Sequence, residues 1–181
     1  DSNEIGAKIG DQKCTETRWI SHHEIICVVP EGLGAKLPIQ VDVAGQSSNV
    51  DKLFSYEKPV VNAAGRRGGE TQLRTVGGDD IVIRGSNLGP HGNEKVSVYI
   101  ADAPCEKPQV ISDSEIHCVA PSGAGRDVKI TVRASGQSSE ETPIIAYVKP
   151  VVSSVIPSHA SPSDEITIIG TGFGAENTAP L

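Results

Sequence analysis

ISHHEIICVVPEGLG (residues 20–34) and ISDSEIHCVAPSGAG (111–125) are two versions of one pattern, 91 residues apart. Working outward from them, residues 9–61 match residues 100–152 without a gap, and 23 of the 53 aligned positions are identical. AGQSS (44–48) meets SGQSS (135–139), and YEKPVV (56–61) meets YVKPVV (147–152). Chance does not produce such a match, and a fixed period of this kind marks a tandem array.

A second match, at an offset of 85, joins DDIVIRGSNLG (79–89) to DEITIIGTGFG (164–174). The difference between the two offsets places an insertion between Val61 and Asp79, at GRRGGE (65–70), which reads as a loop tip. The expected organisation is the back part of one unit over 1–57, a complete unit over 58–149 and the front part of a further unit over 150–181. The two partial units are complementary: joining Leu181 to Asp1 supplies what each half lacks. The chain starts with Asp rather than Met, which fits either processing or a segment of a longer polypeptide.

The composition favours strands. There is one Trp, three Tyr, two Phe and no Met, against 19 Gly and 12 Pro, with Val and Ile leading the apolar set. β-Branched residues punctuated by turn formers suit short strands. In the complete unit the expected strands are QLRTV (72–76), DIVIRG (80–85), KVSVYIA (95–101), EIHCVA (115–120), DVKITVRA (127–134) and PIIAYV (143–148). SNLGPHGNE (86–94) reads as a loop and SGQSS (135–139) as a hairpin turn. Apolar residues alternate at Ile81 and Ile83, and again at Val96, Val98 and Ile100, with no helical period anywhere. Seven or so short strands in such a unit point to an all-β sandwich.

KPVV, IVIRGSNLG, a Cys-bearing strand, IHCVAP and a GQSS turn together resemble an IPT/TIG domain, an early-set immunoglobulin-like fold. The resemblance covers nearly the whole chain and implies tandem sandwiches of about 91 residues per repeat. The family includes plexins, fibrocystin-like proteins, microbial surface proteins and some transcription factors, and the cysteine placement resembles its extracellular branch. The motifs speak for the fold far more than for a function.

Cys14 and Cys27 form one pair and Cys105 and Cys118 another, each 13 residues apart. An even count distributed repeat by repeat suggests two disulfides, with buried free thiols as the competing reading. Zinc is the sharper alternative, using His22 and His23 beside Cys14 and Cys27. The second repeat, however, has Asp113 and Ser114 in place of those histidines, and a structural site needs closed tetrahedral ligation. Asp79–Asp80, echoed by Asp164–Glu165, offers too few oxygens for calcium and reads as a solvated turn. Arg66 and Arg67 form the one basic cluster, read as a solvated loop ahead of a contact for an acidic partner or a protease-sensitive tip.

No motif sets a nucleophile beside a base, so neither an enzyme nor a cofactor is expected. A net charge of −7 argues against a nucleic-acid partner. No stretch reaches the roughly 18 apolar residues that span a bilayer.

These features lead to an extracellular, secreted or cell-surface structural or adhesive protein, forming a stalk, appendage or head-to-tail filament. Its expected partners are copies or adjacent repeats of itself, with a protein or glycan ligand as a further partner. The alternative is a ligand-binding segment of a receptor ectodomain. The junction between half-units is expected at Ile5, Ile9, Ile166, Ile168 and Phe173. The hinges between repeats fall at Lys58–Pro59 and Lys149–Pro150.

Overall fold

The computed structural model describes residues 5–175, with backbone only for 142–144. The expected Leu181-to-Asp1 joint lies outside the described residues. Every described element is a strand.

The strands fall into three groups. The first holds β1 (Ile5–Ile9), β2 (Gln12–Lys13), β3 (Glu16–Ser21), β4 (Glu24–Val28), β5 (Leu37–Val43), β6 (Gln46–Ser47) and β7 (Leu53–Phe54). The central group holds β8 (Val60–Arg66), β9 (Gln72–Leu73), β10 (Asp80–Ser86), β11 (Val96–Ile100) and β12 (Ala103–Pro104). It continues with β13 (Glu106–Ser112), β14 (Glu115–Val119), β15 (Val128–Ala134), β16 (Gln137–Ser138) and β17 (Thr142–Tyr147). The last group is the hairpin of β18 (Val151–Ile156) and β19 (Thr167–Thr171).

The central group is a sandwich of two sheets. One runs β13-β14-β10-β8, the other β12-β11-β15-β17-β9, with β16 on the edge of β15. Alternation decides what is buried. Ile81 and Ile83 of β10 and Ile116 of β14 face Val98 and Ile100 of β11 and Ile130 and Val132 of β15, all in one buried cluster. These are Val and Ile in pleated positions, which suits a two-sheet core without large aromatics.

The first group repeats the second sheet as β2-β1-β5-β6, with β7 on β5, but its other sheet is only the β3–β4 hairpin. The last group is likewise a two-stranded sheet. The repeat is reproduced down to single bonds. Tyr56 and Tyr147 each donate a hydroxyl hydrogen bond of 3.0 Å, to the carbonyls of Pro30 and Pro121. Gly32 and Gly123 lie against those two rings, where a Cβ would sit 2.5–2.6 Å from the ring atoms.

Several elements differ from the sequence expectation. QLRTV is a strand only at Gln72–Leu73, which pairs parallel with Ala146–Tyr147. It stops there because the Asp79 carboxylate captures the Arg74 amide at 2.6 Å and turns the chain. GRRGGE is not all loop: β8 runs through Arg66, paired with Ile81, and the tip closes at Arg67–Gly69. β13 carries Pro108 and buries little beyond Val110, so it has no alternation to read; as an edge strand it tolerates the proline. Within the expected loop 86–94, Leu88 is fully buried.

Candidate assembly faces and the joint between units

Both cysteine pairs are disulfides, with Cα atoms 5.5 Å apart for Cys14–Cys27 and 5.9 Å for Cys105–Cys118, within the range the bond requires. Each first cysteine follows the short edge strand of one sheet, and its amide bonds back to that sheet: Cys14 to the Ala7 carbonyl, Cys105 to that of Val98. Each second cysteine lies in a strand of the other sheet, β4 or β14. The bond therefore ties the two layers together. His22 and His23 are exposed, with ring centroids 3.6 Å apart and ring planes tilted by 44°. The described residues hold no group of three His, Cys, Asp or Glu able to bind a metal.

Asp79 is not in a solvated turn. It is buried and held by Arg74 Nε at 2.6 Å and Arg66 Nε at 3.2 Å. A buried carboxylate needs such partners, and this need draws Arg66 out of solvent, where it also pairs with Glu70. Arg67 stays exposed at the tip. One partner, Arg74, lies five residues before Asp79 in the same connection, and the other, Arg66, comes from β8.

At the pair of positions shared by β1 and β5, and by β11 and β15, the two units use different chemistry. Lys8 and Asp42 form an ion pair of 3.1 Å. A hydrogen bond from Ser47, then Lys8 and Gln40, hold the Asp42 carboxyl down to about 2. The corresponding pair in the central unit is Tyr99 and Arg133, with the guanidinium 4.5 Å from the ring centroid.

The open faces are apolar. Ile83 is completely buried, while its counterpart Ile168 is 51% exposed. Leu88 is completely buried, while its counterpart Phe173 is 50% exposed. Ile166 is exposed as well, where Ile81 is buried. On the first group, Trp19 is 62% exposed where Val110 is 2% exposed. Of the expected junction residues, Ile9 is buried, Ile5 half-buried, and the structure does not bring either to Ile166, Ile168 or Phe173, whose hairpin is a sheet of its own.

The first joint is built by residues from both sides of Lys58–Pro59. Leu33 packs against the central core, reaching the space where a Cβ on Gly89 would stand 2.7 Å away. Gln137 donates Nε2 to the Tyr56 carbonyl at 2.9 Å, and Lys58 pairs with Glu140 at 2.7 Å. Pro59 is fully buried, whereas Lys149 and Pro150 are exposed.

A family model for the IPT/TIG domain matches residues 1–56 and 71–144. The chain belongs to the IPT/TIG family.

Its IPT/TIG units are therefore immunoglobulin-like sandwiches in tandem. Among solved structures, the full extracellular region of plexin A4 (domains 1 to 10) is 20% identical, with a TM-score of 0.46 over 92% of this chain and 15% of that one. A second plexin A4 structure, domains 1 to 8, gives the same identity and score over 79% of this chain and 14% of that one. SGBP-B from the mixed-linkage glucan utilization locus of Bacteroides ovatus, in complex with a mixed-linkage heptasaccharide, is 15% identical, with a TM-score of 0.35 over 81% and 40%. This IPT/TIG chain thus spans only a small part of the plexin chains. No curated protein matches it. No helix among the described residues is long and apolar enough to cross a membrane.

Proposed function

We propose that this chain is an extracellular structural or adhesive element in which IPT/TIG units stack head to tail into a stalk, appendage or filament. The observation that carries this reading is the complementarity of the open halves. β3–β4 lacks the two strands that β18–β19 resembles, and both hairpins expose the residues that the central unit buries. An exposed apolar edge invites another strand, and completion by a neighbouring unit is strand addition between sandwiches. Because the two faces lie in different halves, the contact does not close on itself and propagates. The joint at Lys58–Pro59, fastened by Leu33, Gln137 and Lys58, supports a stiff stack rather than loosely tethered beads. The disulfides support an oxidising, extracellular setting.

Deleting residues 150–174 removes one of the two faces. The full chain is expected to form extended polymers in sedimentation and electron micrographs, and the truncated chain to stay monomeric. Equal polymers from both would overturn the reading.

A second reading, a binding surface for an acidic partner, rests on the outer face of the first central sheet. Arg66, Arg67, Arg84 and His117 line one depression of about 480 Å³ there together with Glu115, which meets Arg84 at 3.2 Å and His117 at 2.8 Å, and Arg67 stands exposed at its tip. Retention on a sulfated-polysaccharide column that falls in the Arg67→Ala/Arg84→Ala variant supports it; a wild type that flows through refutes it.

A further inference from the structure

We propose that the Arg67–Gly68 peptide bond is a cleavage site for a trypsin-like serine endopeptidase, and that the two products stay joined through β8. The site lies wholly within the central sandwich, on the connection from β8 to β9.

That connection is specific to this unit. The offsets of 91 and 85 make the stretch between Val61 and Asp79 six residues longer than its counterpart between Val152 and Asp164, and the counterpart holds no Lys or Arg. Arg67, Gly68, Gly69 and Glu70 are exposed at its tip, with Thr71 and Gln72 exposed behind them. A Cβ at Gly68 or Gly69 would meet nothing within 4 Å, so an enzyme has room to close on the bond. Such loop tips are where folded chains are nicked. Presenting the bond in extended form breaks three backbone hydrogen bonds. They run from the Arg66 amide to Glu70, from Arg67 to Asp80 and from Gly69 to Arg66, at 2.7, 2.8 and 3.0 Å.

Competing bonds are less open. Lys58, Lys107 and Lys149 each precede proline, which offers no amide hydrogen, and trypsin-like enzymes leave such bonds intact. Lys36 and Arg126 stand within two residues of β5 and β15, strands paired on both sides. Arg66 is occupied by Asp79 and Glu70, so the enzyme reads Arg67 alone rather than the basic pair.

Hydrolysis adds water across the amide: the C–N bond breaks, Arg67 gains a carboxylate and Gly68 an ammonium group. The carboxylate forms at the depression that Arg66, Arg84 and His117 line with a single acid, Glu115. The ammonium forms two residues before Glu70. Neither disulfide spans the cut, since Cys14–Cys27 precedes it and Cys105–Cys118 follows it. The link that remains is non-covalent. Upstream of the cut, β8 keeps its ladder to β10 from Val60 to Arg66, with Val61 in the core and Pro59 fully buried. Arg66 reaches across the cut to the buried Asp79 at 3.2 Å. Downstream, Leu73 is completely buried and pairs with Tyr147. After the cut β8 is a strand that the preceding repeat donates to this sandwich. The array keeps its shape, and its continuity rests on one edge strand.

The 181-residue chain, disulfides intact, is treated briefly with a low proportion of trypsin. Intact mass is expected to show residues 1–67 and 68–181 as the first products, which separate on a denaturing gel without reductant. On a native sizing column the cut chain is expected to elute with the uncut one. Arg67→Gln is expected to abolish this first cut. A first cut after Lys36, Lys52 or Arg126, or a chain that trypsin leaves whole until it is unfolded, overturns the site. Fragments that part on the native column overturn their retention. Leu33→Ala/Lys58→Ala loosens the joint and leaves β8 untouched, so its cut fragments are expected to stay together as well. If they part, the joint rather than β8 is the link, and that half of the proposal falls.

Discussion

The central sandwich and the two flanking strand groups carry the same sequence pattern, yet among the described residues the central group alone buries it on both of its sheets. Ile83 and Ile168, Leu88 and Phe173, and Val110 and Trp19 are equivalent in sequence and opposite in exposure. Local patterning therefore suffices to form the hairpins, since β18–β19 pairs in the register of its counterpart, and β3–β4 does so from Arg18 to Ser21, differing only at the Glu16 end, where its counterpart has a further register shift. It does not suffice to bury them. Burial depends on which second sheet is present, and that information lies a whole repeat away along the chain.

The comparison breaks most clearly under one substitution made twice. Ile83→Ala opens a cavity in a closed core and should cost about 2–5 kcal/mol. Ile168→Ala touches an exposed site and should change dilute-solution stability by no more than about 0.5 kcal/mol. Denaturant unfolding of the two variants measures both, and Ile168→Ala should show its cost only at concentrations where the chain assembles.

Next in size are the disulfides. Replacing Cys105 and Cys118 by serine should cost the central unit roughly 3 kcal/mol on the chain-entropy account. Replacing Cys14 and Cys27 should leave the main thermal transition where it is. A common shift would mean that the flanking half and the central unit unfold as one body.

Smaller still is the Tyr147 hydroxyl. Tyr147→Phe removes its bond to the Pro121 carbonyl and should cost about 1 kcal/mol. Tyr56→Phe, at the equivalent bond in the first group, should leave the central transition unmoved, again read by denaturant unfolding.

The smallest effect is acid sensitivity. The Asp42 carboxyl lies at about 2 in the fold, against about 3.9 for an unperturbed aspartate. Its contribution is present above pH 4 and is lost as pH falls toward 2, because the unfolded chain takes up the proton first. Proton chemical shifts of the first group should therefore change over that window in the wild type, and Asp42→Asn should remove the change.

The period, the strands with clean alternation and the cysteine pairs were legible because each is a local or repeated signal. Asp79 was not, because what distinguishes it from Asp80 is how the fold turns Arg74 of the same connection and Arg66 of β8 onto it. Leu88 sits in a glycine-rich stretch with no alternation, so its burial followed only from the closed sandwich. Trp19 lies between the two cysteines of its repeat and Val110 takes its place in the next, so in sequence it read as a residue that not every repeat requires. Its exposure of 62%, against 2% for Val110, appears only in the structure.

The cysteine bridges carry a consequence for a chain that is pulled. Each closes a loop spanning 13 residues, whose extended contour is roughly 45 Å at about 3.4 Å per residue. Under tension that loop stays shut while the strands outside it peel away. A unit torn open by force should lengthen by about 40 Å less when oxidised than when reduced, and it should keep its two layers riveted at one point from which they can refold. The bridges are brakes on extension as much as supports for a thin core, a property suited to a tether that has to yield without running out to its full length.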